Sequence, residues 1–256
     1  MSLQYFMDTV KTIPKGLGFS HFDGVHSTWL LICLCLTVAN CLWYRKMDER
    51  ARKKWRIVMA CLMVANELFK HTMLLIGGRW TVNYIPLHLC SINIFTIAWH
   101  AWKPNKTLNA FLYTVVIPAT LAALLFPTWT KLPWLNFSHL HSFTIHICLL
   151  MYPVVLTVAG DIRPDPKDIP KCLLMLVLMA VPVYFVNLLL DTNFMFLMEA
   201  DKGNPLYLFE QMWGNHLYGF PVLIAAILIV MYVPVILHRK HKNRTFHHNR
   251  TKPSAA

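Results

Sequence analysis

Long apolar runs alternate with short polar segments along the whole chain. Seven runs stand out, at residues 27–44, 57–76, 85–102, 108–126, 139–159, 172–190 and 217–237. Each approaches the roughly 20 apolar residues that cross a bilayer core of about 30 Å as a helix. The pattern predicts an all-α, polytopic membrane bundle of seven transmembrane helices over residues 27–237. An N-terminal extracytoplasmic segment, 1–26, precedes it and a basic cytoplasmic tail, 238–256, follows.

Basic residues are distributed unevenly between the two sets of loops that seven spans create. Eighteen Lys and Arg residues lie in one set, 45–56, 103–107, 160–171 and 238–256. Only 5 lie in the other set, 1–26, 77–84, 127–138 and 191–216. Because cytoplasmic loops carry the excess of basic residues, this bias predicts an N-terminus outside and a C-terminus in the cytoplasm.

Composition supports a membrane protein and argues against a nucleic-acid partner. Hydrophobic residues make up 56 % of the chain and charged residues 14 %, against about 25 % charged in soluble domains. The net charge of +12 is explained by basic loops that face an anionic cytoplasmic leaflet. The seven cysteines include no CxxC pair and no zinc-type spacing, so neither a disulfide framework, nor a metal, nor a cofactor is expected.

Polar side chains inside the spans collect at one depth, the predicted outer half of the membrane. Ionisable groups at such positions cost free energy and often mark a functional site. The candidates for substrate binding are Glu67, His71, His88, His139, Asn187 and Asn193. Lys70, Ser91, Ser142 and Asp191 lie at the same level. Together they predict a polar cavity that opens to the outer leaflet.

Cys90, His146 and Asn93 are the candidate catalytic residues. Cys90 is the only cysteine near the outer ends of the spans, and His146 would meet it if the third and fifth spans pack together. A histidine beside a cysteine accepts the thiol proton and produces a nucleophile. Asn93 lies one helical turn from Cys90 and would orient the site. His88 should face elsewhere, toward Glu67 or His71, because two residues correspond to about 200° around a helix.

Two other interpretations of the same polar residues remain open. The cavity could bind a small solute or ion in a transporter or sensor. Alternatively, His71, His88, His139, His141 and His146, with Glu67 or Asp191, offer enough donors for a zinc hydrolase, although no HExxH-type spacing is present.

Two segments resemble a known family. The run 85–91, Ile-Pro-Leu-His-Leu-Cys-Ser, resembles the LPLHLCS motif of the YwaF-type bacterial integral membrane proteins. The run 186–197 resembles that family's N-x-x-x-G-x-N-Y-x-x-L pattern, with Asp191 in place of Gly and Phe194 in place of Tyr. The segments 139–146 and 205–218 also fit, so the resemblance covers roughly residues 25–237.

The resemblance implies an activity. YwaF-type proteins are similar to the eukaryotic transmembrane-protein-164 group, described as lipid acyltransferases that use a cysteine nucleophile and a histidine. Cys90 and His146 match those two positions, and their separation of 56 residues fits that group's arrangement. The resemblance implies cysteine-dependent acyl transfer, with membrane phospholipid as the partner and a bacterial plasma membrane as the location.

Overall fold

The chain folds as an assembly of helices. The computed structural model describes residues 3–200, 202 and 204–250, and for residue 3 and residues 241–250 it describes the backbone alone. These described residues form helices and turns and no strand. The predicted all-α class is confirmed.

Eight main helices follow one another. They are α1 (Gly24–Arg45), α2 (Glu49–Ile76), α3 (Leu89–Trp102), α4 (Lys106–Leu125), α5 (Phe137–Ala159), α6 (Ile169–Leu190), α7 (Pro205–Trp213) and α8 (Gly219–Arg250). Among the described residues, six are long and apolar enough to cross a membrane: α1, α2, α4, α5, α6 and α8. The chain is therefore a multi-pass integral membrane protein. Residues 251–256 of the predicted tail lie outside the described residues.

Helix α3 departs most from the predicted spans. It has 14 residues, which corresponds to about 21 Å at 1.5 Å per residue, and it begins at Leu89 rather than at residue 85. Pro86 accounts for the non-helical backbone of Ile85, because the residue before a proline is driven away from helical backbone angles. Ile85 accordingly has an extended ψ of 134°. His88 is the N-cap residue, so residues 85–88 all precede the helix.

Side-chain caps fix where several helices begin. Asp23 accepts the backbone N–H of His26 at the start of α1, and Asp48 accepts that of Ala51 at the start of α2. Asn105 does the same for Leu108 in α4. Each cap satisfies an N–H that has no partner within its helix. The N–H groups of His26 and Ser20 also lower the pKa of Asp23, because they stabilise its carboxylate.

A π-helical stretch interrupts α4. It covers Leu112–Val116 and immediately precedes Pro118. Proline has no N–H to bond the carbonyl four residues earlier, and a π-turn is one way in which a helix accommodates such a gap. Thr114 and Tyr113 in this stretch bond α8, through the Tyr232 hydroxyl at 2.6 Å and the Met231 carbonyl at 2.8 Å.

Helix α5 lies at the centre of the bundle. It packs against α1, α2 and α4, and Phe137, Phe143, Leu149 and Tyr152 along its length are fully buried. Both of its ends and its middle therefore contact other parts of the protein. Residues that α5 carries at the level of Cys90 are well placed to form a site.

Contacts between loops define two ends of the bundle. At the first, which we call the basic end, Asp161 after α5 pairs with Arg52 at the start of α2 at 2.7 Å. Lys106 at the start of α4 pairs there with Asp168 at 3.3 Å. At the opposite end, Arg79 after α2 pairs with Asp8 at 2.7 Å.

Asn136 attaches the N-terminal segment to the opposite end. Its buried Nδ2 donates to the carbonyls of Tyr5 at 2.8 Å, Phe6 at 3.3 Å and Asp8 at 2.7 Å. Its Oδ1 caps α5 by accepting the N–H of Ser138 at 2.9 Å. One fully buried amide thus connects residues 5–8 to the start of the central helix.

Replacing Asn136 by alanine is expected to destabilise the fold by about 2 kcal/mol, because a helix cap and buried carbonyl partners are lost together. Chemical unfolding of the purified protein in mixed micelles measures the change. Asn105→Ala is the matched control, since that exposed residue caps α4 through one bond and should cost about 1 kcal/mol or less. Equal effects of the two variants would contradict the role assigned to Asn136.

Candidate functional site

Cys90 lies in the first turn of α3, at the end of the bundle opposite the basic end. His88 is the N-cap residue and Cys90 is the second helical residue. The predicted span begins at residue 85, which would place Cys90 further from the helix start. The first N–H groups of a helix have no partner within it and favour a developing negative charge. The late start of α3 therefore gives the sulfur a more favourable electrostatic position than the sequence indicated.

The structure brings Cys90 and His146 into contact. The Cys90 Sγ lies 3.1 Å from His146 Nε2, across the α3–α5 interface. His146 Nδ1 lies 2.6 Å from the carbonyl oxygen of Ser142. A carbonyl only accepts, so Nδ1 carries the ring hydrogen and Nε2 presents its lone pair to the thiol. This is the tautomer that a base for Cys90 requires.

Two buried donors without protein partners lie beside this pair. The indole of Trp129 stacks on the His146 ring, with centroids 5.0 Å apart, and its Nε1 is buried and unbonded. Asn93, fully buried one turn after Cys90, has neither its amide nitrogen nor its amide oxygen bonded. Buried polar atoms nearly always find a partner, so both side chains have the capacity to bind a ligand.

Trp129 was missed by the sequence analysis. It lies in the short segment between α4 and α5, where a tryptophan is expected as an interfacial anchor. The distance between Trp129 and His146 along the sequence gives no indication that their rings stack. The loop itself is held by the N-terminal segment, since Phe19 N–H donates to the Thr130 carbonyl at 2.8 Å.

Glu67 is the centre of a second group of polar side chains near Cys90. This carboxylate on α2 is 5 % exposed and pairs with Lys70 one turn later. The Ser91 hydroxyl lies 3.4 Å from Glu67 Oε1. The predicted convergence of second- and third-span residues is therefore present in the structure.

The hydrogen bonds of His71 fix its tautomer. Trp80 Nε1 donates to His71 Nδ1 at 3.1 Å, so the ring hydrogen lies on His71 Nε2. That atom is 3.4 Å from Glu67 Oε1. His71 therefore contacts Glu67 as a neutral donor.

His141 on α5 lies close to Glu67 on α2. His141 Nδ1 faces two oxygens of Asn66, each at 3.2 Å, so it is a donor. Its Nε2 lies 3.5 Å from Glu67 Oε2, an oxygen with no hydrogen bond. His141 therefore bonds α2 through Asn66 and brings its second ring nitrogen close to the Glu67 carboxylate.

Replacing Glu67 by glutamine is expected to lower the free energy of unfolding by about 3 kcal/mol, because Lys70 would remain as a buried unpaired charge. Denaturant titration in mixed micelles provides the measurement. Glu49→Gln, at an exposed position in the first turn of the same helix, should cost less than about 1 kcal/mol. A loss below 1 kcal/mol for Glu67→Gln would show that Lys70 does not depend on this carboxylate.

His88 does not contact Glu67 or His71 through any described hydrogen bond, which corrects the partners expected from the sequence. Its Nδ1 accepts the N–H of Met195 at 3.3 Å, and its ring packs edge-on against Phe194, with centroids 5.3 Å apart. The reason is the late start of α3: His88 is an extended N-cap residue, so the 200° helical rotation does not apply to it. His88 closes one side of the Cys90 region against the loop after α6.

His139 is placed in a different environment. Its Nε2 accepts the Trp29 indole N–H at 3.0 Å, and its Nδ1 bonds the Leu132 carbonyl at 3.1 Å. Because both ring nitrogens already have protein partners, we leave His139 out of the proposed substrate site. Its contacts connect α1, α5 and the segment between α4 and α5.

Asn187 and Asn193 shape the loop after α6. Asn187 Oδ1 accepts the backbone N–H of Phe194 at 2.8 Å, and Asn187 Nδ2 donates to the Phe194 carbonyl at 2.9 Å. Asn193 Oδ1 accepts the N–H groups of Met198 and Glu199. Both amides line a cavity of about 370 Å³ that also includes Asp191. Their amide groups are therefore engaged within the loop rather than beside Cys90.

The histidines do not gather as metal ligands. No group of three or more His, Cys, Asp or Glu side chains among the described residues has the geometry to hold a metal ion. His88, His139 and His141 instead bond backbone atoms of different elements.

Comparison with known proteins identifies the family. The model of the TMEM164 family matches residues 16–232. The chain belongs to the TMEM164 family. Neither the curated proteins nor the solved structures contain a match. The resemblance to the transmembrane-protein-164 group that the sequence analysis drew is confirmed, and the likeness to YwaF-type proteins is compatible with it.

The part of the chain that matches the TMEM164 family contains the whole candidate site. It begins within the N-terminal segment and includes Cys90, Asn93, Trp129 and His146. It ends at residue 232, where Tyr232 bonds the π-helical stretch of α4. The rest of α8 and the residues that follow lie beyond the match.

Proposed function

We propose that this protein is a membrane-embedded acyltransferase or transacylase that acts on the acyl chains of phospholipid. The observation that carries the proposal is the Cys90 Sγ–His146 Nε2 distance of 3.1 Å, together with the Ser142 carbonyl that fixes the tautomer of His146. A nucleophile, its base and a group that orients the base are the parts that covalent acyl transfer requires. Membership of the TMEM164 family supports a lipid environment for this chemistry.

The first half-reaction would transfer the acyl group to the protein. As the Cys90 sulfur bonds the ester carbonyl carbon, its proton passes to His146 Nε2 and the carbonyl π electrons move to oxygen. Collapse of this tetrahedral intermediate breaks the ester C–O bond. His146 then protonates the departing alkoxide, which leaves a lysophospholipid and an acyl-thioester on Cys90.

The second half-reaction would reverse these steps with another alcohol. The hydroxyl of the acceptor gives its proton to His146 Nε2 as its oxygen attacks the thioester carbonyl. The Cys90 sulfur leaves and regains the proton from His146. One acyl chain has then moved between two alcohols without an external oxidant, reductant or cofactor.

The unbonded donors beside the pair supply the remaining requirement, stabilisation of the oxyanion. Asn93 Nδ2–H and Trp129 Nε1–H are both buried and lack partners. Donors aimed at a developing oxyanion typically contribute about 3 kcal/mol each to transition-state binding. We assign them this role, and we assign His88, with Phe194 beside it, to the wall that contacts substrate.

Trapping the acyl-protein tests the proposal directly. The purified protein would be incubated with phosphatidylcholine that carries a labelled acyl chain, and intact-protein mass spectrometry would detect the added acyl mass. We expect a hydroxylamine-sensitive adduct on Cys90, because thioesters are cleaved by hydroxylamine. A label confined to other cysteines, or one that resists hydroxylamine, would contradict this mechanism.

A second candidate function, proton-coupled solute transport or sensing, is favoured by the buried Glu67 carboxylate, which has the His141 ring 3.5 Å away inside the bundle. Buried ionisable pairs of this kind occur in proton relays. Uptake measured in vesicles that contain Cys90→Ala or Glu67→Gln separates the two functions. Solute uptake that persists in Cys90→Ala and is lost in Glu67→Gln would support transport. Absence of uptake in wild-type vesicles would contradict it.

We also propose that α3 crosses the membrane as a seventh, short span, with the basic end in the cytoplasm of a bacterial cell. Contacts support a full crossing: His88 before α3 bonds Met195 at one end. At the other end, His100 Nε2 lies 2.6 Å from Asn109 Oδ1 in α4. The resemblance of residues 85–91 to bacterial proteins supports the plasma membrane as the location.

Single cysteines introduced into a cysteine-free variant test the topology. We expect residues 47 and 104 to react only after the inner face is exposed, because both lie at the basic end, and the exposed residue 131 to react from outside. A membrane-impermeant maleimide applied to intact and to inverted vesicles provides the measurement. If residues 47 and 104 react from opposite sides of the membrane, α3 does not cross it.

A further inference from the structure

A second cavity lies at the basic end, away from Cys90. Its volume is about 450 Å³, and Arg52, Arg56, His100, Asn109 and Asp161 line it. His100 follows Cys90 by ten residues on the same helix, which corresponds to about 15 Å. The proposed acyl transfer makes no use of this cavity.

Arg52 and Asp161 satisfy each other within the cavity wall. Arg52 Nη1 lies 2.7 Å from Asp161 Oδ1, and the Tyr44 hydroxyl donates to Asp161 Oδ2 at 2.7 Å. Arg52 Nε donates to the Met47 carbonyl at 3.2 Å. This pair connects α2 to the loop after α5 and has a structural role.

Arg56 is not satisfied in the same way. Its Nη1 donates to the Tyr44 hydroxyl at 3.2 Å and lies 3.7 Å from Asp161 Oδ2. Its Nε is buried and has no partner, and its side chain is 15 % exposed. The Nε and Nη2 of an arginine form a planar fork that pairs with two oxygens of a phosphate or carboxylate. A buried arginine whose Nε has no partner points to an anionic ligand.

His100 and Asn109 complete the polar lining. Asn109 Oδ1 accepts from His100 Nε2 at 2.6 Å, and His100 Nδ1 lies 2.8 Å from the Tyr152 hydroxyl. Asn109 Nδ2 makes only a long contact of 3.5 Å to the Asp161 carbonyl. Its second N–H remains as a donor for an anion.

The charges around the cavity favour an anion from the membrane surface. Glu49 also faces the cavity, but Arg50, Lys53 and Lys54 follow it on the exposed side of α2. Trp99 and Trp102, on either side of His100, are 52 % and 69 % exposed. Exposed tryptophans typically lie at the level of the lipid headgroups, which places the cavity mouth at that level.

We propose that the Arg56 fork, with the Asn109 amide, binds the phosphate of an anionic phospholipid from the leaflet at the basic end. Basic pockets between helices on the cytoplasmic side are a recognised way to bind such headgroups. A phosphate there would use the free donors of both side chains while Arg52 keeps Asp161. The site is independent of the Cys90–His146 chemistry.

Native mass spectrometry and thermal unfolding of the full-length protein in detergent test this site, with phosphatidylglycerol as the probe and diacylglycerol as the phosphate-free control. We expect phosphatidylglycerol to bind and to raise the melting temperature, and diacylglycerol to do neither. Arg56→Gln should weaken the binding at least about 10-fold. Arg56→Lys, which keeps the charge and loses the fork, should weaken it too.

Lys53→Gln is the matched control, because it removes one exposed positive charge from the same turn of α2 and should leave binding within about 2-fold. Equal losses in Lys53→Gln and Arg56→Gln would show diffuse attraction and overturn the proposal. So would tighter binding of glycerol 3-phosphate than of the lipid, which would assign the site to a soluble phosphate. Mass spectrometry counts lipid on the folded species, so a destabilised Arg56→Gln still gives a result.

Discussion

Cys90→Ala and Cys90→Ser are expected to lower the rate of acyl transfer by about three orders of magnitude or more, because both remove the thiol that His146 would deprotonate. The Cys90 sulfur is the atom that His146 Nε2 faces at 3.1 Å. Transfer of a labelled chain between phospholipid and lysophospholipid, in vesicles that contain the purified protein, measures the rate. The same variants should form no hydroxylamine-sensitive adduct.

Two other cysteines serve as matched controls for Cys90. Cys148 is partly buried on α5, and Cys61 is exposed on α2. Replacing either by alanine should leave the rate within about 3-fold, since neither lies in the proposed site. If Cys90→Ala retains wild-type transfer while the protein remains folded, acyl transfer through this residue is wrong.

His146→Ala is expected to lower transfer by about 100- to 10,000-fold, the range usual for loss of a positioned acid–base group. The variant leaves the Cys90 thiol without the base that accepts its proton. Alkylation of Cys90 by iodoacetamide at neutral pH should slow as well, which a purely structural role for His146 would not require. Both rates are measured on protein that elutes as a folded species in detergent.

The double variant Cys90→Ala/His146→Ala provides the control for His146. Residues that act as a unit have non-additive effects, so the double variant should be no slower than Cys90→Ala alone. A further large loss in the double variant would mean that His146 acts separately from Cys90.

Much of the candidate site follows from the sequence because membrane helices carry few polar residues. Once the spans and their directions are predicted, each of Glu67, Cys90 and His146 is assigned a level in the membrane. These levels are similar, so the three residues are predicted at the same end of the bundle. The contact between Cys90 and His146 further requires that α3 and α5 are neighbours. That depends on packing, to which the uniformly apolar surfaces of the spans give little guide.

Other features depend on geometry that hydropathy does not encode. Residues 85–88 belong to an apolar run, yet α3 begins only at Leu89, which places Cys90 at a helix N-terminus and His88 outside the helix. The bonds that occupy Asn187 and Asn193 arise from the turn after α6, where Asp191 has a positive φ of 51°. Trp129 reaches His146 because the N-terminal segment holds its loop.

The π-helical stretch in α4 gives one span two different orientations. A π-turn inserts one residue, so the helix after Val116 is rotated by roughly 100° relative to an uninterrupted α-helix. The half before it packs on α6, and the half after it packs on α5, where the Leu124 carbonyl bonds His26 Nε2 of α1 at 2.7 Å. Deleting a single residue within 112–116 would realign both halves to one face. The length of α4 would be almost unchanged, but either α5 or α6 would lose the face of α4 against which it packs.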